Sequence, residues 1–157
     1  MIDRLRLTLK LEDEKQTRNF TKVDLVKITK NIIDDLKISY PSREIYLEAD
    51  DIKIEADETM IRIAIENLVE NGLKYSQDDV YVTITNKEIS VKDNGIGIKQ
   101  KDIQKITNKF YRVSNNTWNN SLGVGLSLVS NIVKFHKFKL DIQSVENEGS
   151  TFTIKLL

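Results

Sequence analysis

The sequence predicts an α/β fold in which helices are layered on a sheet of hairpins. Two long stretches, Leu25 to Leu36 and Ile61 to Gly72, repeat apolar residues at the 3.6-residue period of a helix, each behind an aspartate suited to cap it. Between and after them run short segments of period two, in pairs joined by polar or glycine-containing turns. With 157 residues, 39% of them hydrophobic and 31% charged, the chain has enough apolar surface for one core and is short for a second.

The elements follow in chain order. Residues 2–11, IDRLRLTLKL, fit both periods, since Ile2, Leu5 and Leu9 keep helical spacing while Leu5, Leu7, Leu9 and Leu11 alternate; they are read as helix. Residues 12–19, EDEKQTRN, hold no apolar residue and read as a linker. Asp24 caps a helix carrying Leu25, Ile28, Ile32, Ile33 and Leu36, which ends before Pro41, the only proline. Short strands are expected at Glu44 to Glu48 and Ile52 to Ile54. Asp57 caps a long helix to about Tyr75. Strands follow at Val80 to Thr85, with Val80, Val82 and Ile84 on one face, and at Ile89 to Lys92.

Beyond Lys92 the chain turns glycine-rich at Asp93-Asn94-Gly95-Ile96-Gly97, then long and polar from Gln100 to Leu122, more than an ordinary connection needs. Gly123-Val124-Gly125 opens a helix to about Lys137. Strands at Lys139 to Val145 and Thr151 to Leu156 close the chain around the turn Glu146-Asn147-Glu148-Gly149. No repeat or low-complexity tract is present.

Composition excludes several function classes. Lys and Arg number 24 against 24 Asp and Glu, so no bulk field recruits nucleic acid or an anionic membrane, and any anion must be held locally. With no cysteine there is no disulfide framework, thiolate metal site or cysteine nucleophile; one histidine excludes a His-rich zinc site. No apolar run nears the roughly 20 residues that span a bilayer, and the N-terminus does not open a signal peptide, so the chain reads as soluble and intracellular.

On the long helix, about 100° per residue brings Asn67, Asn71 and Lys74 within roughly 60° of one another, opposite the side that buries Ile61, Ala64, Ile65, Leu68, Val69 and Gly72. Such a stripe can be a plain solvated face. Asparagine, however, is a poor residue for mid-helix use, and amide oxygens beside an ammonium suit hydrated Mg²⁺ and the phosphates it bridges. Asp93-x-Gly95-x-Gly97 follows a strand and Gly123-x-Gly125 opens a helix. Either can be a simple turn, yet glycine lets backbone approach a ligand and a helix N-terminus offers free N–H groups to phosphate. Asp93 could equally cap a turn or accept from an exocyclic amine such as that of adenine.

Taken in order, these segments resemble the ATP-binding catalytic domain of sensor histidine kinases, in the superfamily shared with type II topoisomerases and mismatch-repair ATPases. Asn67-Leu68-Val69-Glu70-Asn71-Gly72-Leu73-Lys74-Tyr75-Ser76 is similar to the N box, Asp93-Asn94-Gly95-Ile96-Gly97-Ile98 to the G1 box and Lys109-Phe110-Tyr111-Arg112 to the F box. Leu122-Gly123-Val124-Gly125-Leu126-Ser127-Leu128-Val129 resembles the G2 box, and Gly149-Ser150-Thr151-Phe152 the third glycine box. The resemblance covers about residues 20–157. It implies a Bergerat-type fold, a two-layer sandwich of a mixed, largely antiparallel sheet packed against helices. It also implies ATP and Mg²⁺ as cofactors, with Asn71 as Mg²⁺ ligand, Asn67 and Lys74 toward the phosphates, and Tyr75 against adenine. Asp93 would take the adenine amino group, with Gly95, Gly97 and Ile98 shaping that end. Residues 99–122 would form a lid that brings Tyr111 and Arg112 to the nucleotide, Arg112 near its terminal phosphate. Leu122, Gly123, Val124, Gly125 and Leu126 would lie under the phosphate chain, and Thr151 on the pocket floor. Two positions depart from the pattern: Lys109 stands where arginine is frequent, and Gly72 where alanine is usual, at a helix cost of about 0.5–1 kcal/mol.

The superfamily's hydrolases place a glutamate four residues before the Mg²⁺ asparagine. Here that position is Asn67, and a carboxamide takes no proton from water at neutral pH, so the resemblance implies a site that holds ATP for another nucleophile. Glu66 and Glu70 flank Asn67 and keep a hydrolase open. A serine-directed kinase of the same fold, or a regulatory ATP-binding module, also stays open. A histidine kinase's phosphoacceptor histidine precedes an acidic residue and, shortly after, a proline. His136 precedes Lys137-Phe138-Lys139 and instead suits a helix C-terminus. The acceptor is therefore expected on a dimerisation domain outside this chain, with residues 1–19 as the tail of that domain's helix and a hinge, and residues 20–157 as the catalytic domain. The implied partners are that dimerisation domain, in a homodimeric parent, and a response regulator receiver domain. The implied location is the cytoplasmic side of a membrane-anchored sensor.

Overall fold

The computed structural model describes residues 19–103, 105 and 125–156. The expected helix at residues 2–11, most of the linker and most of the long polar segment lie outside them.

Strand β1 (Thr21–Asp24) leads into helix α1 (Leu25–Ser39), and β2 (Ile45–Ala49) and β3 (Lys53–Ala56) lead into helix α2 (Glu58–Lys74). The hairpin β4 (Val80–Ile84) and β5 (Glu88–Asp93) precedes a single helical turn, α3 (Gln100–Ile103). Helix α4 (Gly125–Phe135) and the hairpin β6 (Lys139–Val145) and β7 (Gly149–Lys155) complete the described chain. Both aspartates cap as expected: Asp24 Oδ1 accepts from Lys27 N at 3.2 Å and Asp57 Oδ1 from Met60 N at 3.1 Å. The first helix stops at Ser39, with Tyr40 N bonded to Leu36 O, two residues before Pro41.

The five-stranded sheet runs β2-β4-β5-β7-β6, with β2 and β4 parallel and every other neighbour antiparallel. This is the mixed, largely antiparallel sheet expected. One face carries Val80, Val82, Ile84, Ile89, Val91, Phe152 and Ile154, all buried, against the helices, while Tyr46, Tyr81 and Lys92 on the other face are exposed. Helix α2 lies at the centre of the helical layer, packed on α1, α4, β4 and β5. Its buried Ile61, Ile65, Leu68 and Leu73 each contribute about 1.5–3 kcal/mol by leaving water.

Two elements are additional to the expected set. Strand β1 pairs antiparallel with β3 as a separate two-stranded sheet, and α3 occupies the start of the long polar segment. Among the described residues no helix is long and apolar enough to cross a membrane.

Candidate functional site

The site is built on the second half of α2, the loop after β5, the first turn of α4 and the β6–β7 hairpin. On α2, Asn67 is 3% exposed, because α4 packs across it; the solvated-face reading of the stripe fails at this residue. Its Nδ2 donates to Ile63 O at 2.9 Å, which turns Oδ1 toward α4, where a Cβ on Gly125 would stand 3.6 Å away. Asn71 is half-buried one turn on, and Lys74 Nζ pairs with Glu70 Oε1 at 3.0 Å. Tyr75 caps the helix through its N–H to Asn71 O, and its carbonyl accepts from Ile96 N at 3.1 Å. That last turn is fastened from outside: Arg43 donates to Leu73 O at 2.8 Å, Ser76 Oγ at 3.0 Å and Asp78 O at 2.5 Å, and Ser76 Oγ donates to Gly72 O at 2.6 Å. Gly72 faces the Val80 methyls, where a Cβ would stand 3.1 Å off, so alanine there would press on β4 as well as favour the helix.

Asp93 ends β5 and is 5% exposed. Gly95 N donates to its Oδ1 at 2.9 Å. Burial holds its carboxyl above the ordinary value of 3.8, while the backbone amides of Gly95 and Ser150 pull the other way. Gly95 has no room for a side chain, since a Cβ would stand 2.0 Å from Tyr75 O. Gly97 lies against the Val145 carbonyl and Ile98 is buried beneath it. From the hairpin, Gly149 adopts φ +125° and lets its chain approach the Asp93 carbonyl.

The strand register does not bring Thr151 to this end. Asp93 pairs with Ser150, and Thr151 pairs with Lys92 on the alternate, outward row. Ser150 is buried, and its hydroxyl lies 2.7 Å from that of Ser144 on β6. Ser144 carries no pattern in the sequence, and Ser150, though inside the third glycine box, is singled out over Thr151 only by the pairing of β5 with β7.

Gly125 and Leu126 form the first turn of α4, whose N-terminal N–H groups lack partners within the helix. Tyr111, Arg112, Leu122, Gly123 and Val124 lie outside the described residues, as does Lys109. At the other end of α4, His136 is buried, stacked on Phe20 with ring centroids 4.7 Å apart. Its Nε2 accepts from Asp57 N at 3.1 Å, so Nδ1–H donates to Ile132 O at 2.7 Å. The expected helix-end role is thus a hydrogen bond from a neutral ring, joining the end of α4 to the cap of α2. Enclosed in this way, His136 is not placed to receive a phosphoryl group.

Asp93 lies beside Gly72 of α2, and the same helix carries Asn67, which faces Gly125 at the start of α4, with Asn71 and Lys74, so α2 brings together a carboxylate acceptor, amide oxygens, an ammonium and helix N–H groups. No group of three or more His, Cys, Asp or Glu that could hold a metal occurs among the described residues. Mg²⁺, which keeps several waters and needs few protein oxygens when phosphate supplies others, suits this donor set better than a cation needing a full protein cage.

Residues 56–157 match the family of histidine kinase-, DNA gyrase B- and HSP90-like ATPases. The sensor histidine kinase WalK of Bacillus subtilis is 33% identical over 85% of this chain and 22% of its own length. The phosphate regulon sensor protein PhoR of Pseudomonas aeruginosa is 34% identical over 65% of this chain and 25% of its own. Among solved structures, the catalytic domain of the histidine kinase ThkA, in a nucleotide-free form, superposes with a TM-score of 0.74 at 26% identity, covering 88% of this chain and 95% of that one. The chain thus spans 22% and 25% of the length of these two curated relatives.

Proposed function

The chain belongs to the family of histidine kinase-, DNA gyrase B- and HSP90-like ATPases, and from that premise we propose that it binds Mg·ATP and presents the γ-phosphate to a histidine on a separate dimerisation domain. The observation that carries this reading is the buried Asp93 carboxylate beside Gly72 of the helix that carries Asn67, Asn71 and Lys74, with Asn67 facing the start of α4. Asp93 accepts from the adenine amine, with Gly95, Gly97 and Ile98 forming the wall beside it and Tyr75 lying against the ring. Ser150, the register partner of Asp93, takes the floor position expected of Thr151. Asn71 would be the oxygen ligand offered to Mg²⁺, which would supply positive charge against the phosphates. Asn67 and Lys74 hold the phosphates, and Lys74 must leave Glu70 to do so. From the sequence motifs alone, Leu122, Gly123 and Val124, leading into Gly125 and Leu126, are assigned to the phosphate chain, and Tyr111 and Arg112 to the nucleotide.

Transfer rather than hydrolysis is the reading that Asn67 supports. Asn67, at the position where the hydrolases keep a glutamate, is a carboxamide engaged with Ile63 O and takes no proton from water, while Glu66 and Glu70 on either side keep hydrolysis as the alternative. The only histidine, His136, is enclosed. The acceptor is therefore a histidine of another segment, in a homodimeric sensor that passes its phosphoryl group to a response regulator receiver domain. Its position is the cytoplasmic side of a membrane-anchored parent.

Radiolabelled ATP tests this. Alone, the chain should neither label itself nor release phosphate appreciably; with the parent's dimerisation hairpin added, an acid-labile, base-stable label should appear on the hairpin. Rates should be low without a covalent connection, because proximity is lost. Rapid phosphate release without the hairpin would establish a hydrolase instead, and an acid-stable label a serine-directed kinase.

A further inference from the structure

Ser144 of β6 is buried and sits where three segments meet. Ile98 N donates to its Oγ at 2.7 Å, closing the loop that follows Asp93 across 46 residues of sequence. Its hydroxyl donates to Gly149 O at 2.9 Å. With that proton committed, the 2.7 Å contact to Ser150 runs from the Ser150 hydroxyl to Ser144 Oγ. One oxygen thus holds the loop carrying Gly95 and the strand start carrying Ser150. These are the two residues whose backbone amides act on the Asp93 carboxylate.

We propose that Ser144 is a positioning residue for Asp93: its hydroxyl fixes the loop and the strand at the spacing that aims both amides at the carboxylate, and thereby sets the affinity of the site for adenine. The affinity clause rests on the adenine-nucleotide reading; the effect on Asp93 does not. Removing the hydroxyl leaves Ile98 N–H and Ser150 Oγ–H without their acceptor in a closed space, and a buried donor without a partner drives local rearrangement. The amides then lose their aim, and the ionised form of Asp93 loses its hydrogen bonds while remaining buried.

Other charges do not confuse this readout. Lys92 lies on the outward face of the same strand, Glu70 and Lys74 of α2 pair with each other, and Lys99 pairs with Glu146. Among the described residues, burial raises the Asp93 carboxyl and the backbone amides of Gly95 and Ser150 oppose that rise.

The test follows the Asp93 carboxyl carbon by NMR across pH in the ligand-free full chain, for wild type, Ser144→Ala and Ser144→Thr, with ATP affinity measured by calorimetry near neutral pH. Ser144→Ala should raise the Asp93 titration midpoint by about one pH unit and weaken ATP about tenfold, and Ser144→Thr, which keeps the hydroxyl, should return both toward wild type. A lower melting temperature with the Asp93 midpoint unmoved would overturn the proposal and leave Ser144 a packing residue. If Ser144→Ala does not fold, Ser144→Cys takes its place: its weak S–H donor should give an intermediate rise, and no rise overturns the proposal. A wild-type chain that binds no ATP, while Ser144→Ala still moves the Asp93 midpoint, would defeat the nucleotide reading and support the positioning of Asp93.

Discussion

The Asp93 end of the site is held by backbone hydrogen bonds between segments distant in the chain, whereas Asn67 and Lys74 of α2 are held by partners on their own helix. Asp93 takes amides from Gly95 and Ser150, Tyr75 O takes Ile96 N, and Ile96 O takes Asn147 N at 2.6 Å. Asn67, by contrast, is bonded to Ile63 O and Lys74 to Glu70, each four residues away. Long-range backbone contacts yield only when the local fold yields. A helical ion pair is worth a few tenths of a kcal/mol and exchanges readily. One end is thus made before any ligand arrives, and the other must trade partners to receive one.

The sharpest way to break this contrast is Gly95→Ala. Its Cβ would stand 2.0 Å from the Tyr75 carbonyl, a backbone atom that cannot swing aside. We expect a loss of about 3 kcal/mol, read as a fall in melting temperature of roughly 6–12 °C. Unchanged melting would show that the loop is adaptable and the Asp93 end no more fixed than the other.

Asp93→Asn comes next. With its oxygen kept on Gly95 N, the asparagine turns an NH₂ donor toward the adenine amine in place of the second carboxylate oxygen and should weaken ATP by about 10–100-fold, measured by calorimetry. Stability should move the opposite way. Burial raises the folded-state pKa of Asp93 above its ordinary value of 3.8, so its contribution is fully favourable below that value and is lost as pH rises through the raised one. At neutral pH the wild type carries a desolvated charge that the variant lacks, and Asn can still accept from Gly95 N. The variant should melt no lower than wild type, and its pH–stability curve should lack that slope. In the wild type, ATP affinity should begin to fall at a pH above 3.8 as Asp93 takes its proton.

The smallest effect is expected at the exchangeable end. Glu70→Gln frees Lys74 from its partner at little cost to stability, and ATP affinity should rise about two- to threefold. A fall in affinity would mean that Glu70 positions Lys74 rather than competing for it.

Much of this arrangement is legible in the sequence where periodicity and capping act locally. Both aspartate caps, the buried stripe of α2 and the alternation of Val80, Val82 and Ile84 follow from residues within one element. The third dimension is what local patterns lack. Asn67 shares a helix face with Asn71 and Lys74, but it is buried because α4 arrives from more than fifty residues later. Thr151 and Ser150 differ by one position, and only the β5–β7 register decides which faces the Asp93 side of the sheet. Strand β1 escapes a periodicity reading because just one of its four residues, Val23, is buried. Arg43 reaches Leu73 30 residues on, and Ser144 holds Ile98 from 46 residues away, contacts for which no short motif exists.

The central claim, an adenine-selective and Mg²⁺-dependent nucleotide site headed by Asp93, is tested most directly by calorimetric titration of the chain with ATP and with GTP, each with and without Mg²⁺. ATP binding should be strengthened by Mg²⁺, with GTP at least about tenfold weaker because guanine presents an oxygen where adenine presents its amine to Asp93. GTP bound as tightly as ATP, or ATP binding indifferent to Mg²⁺, would contradict it.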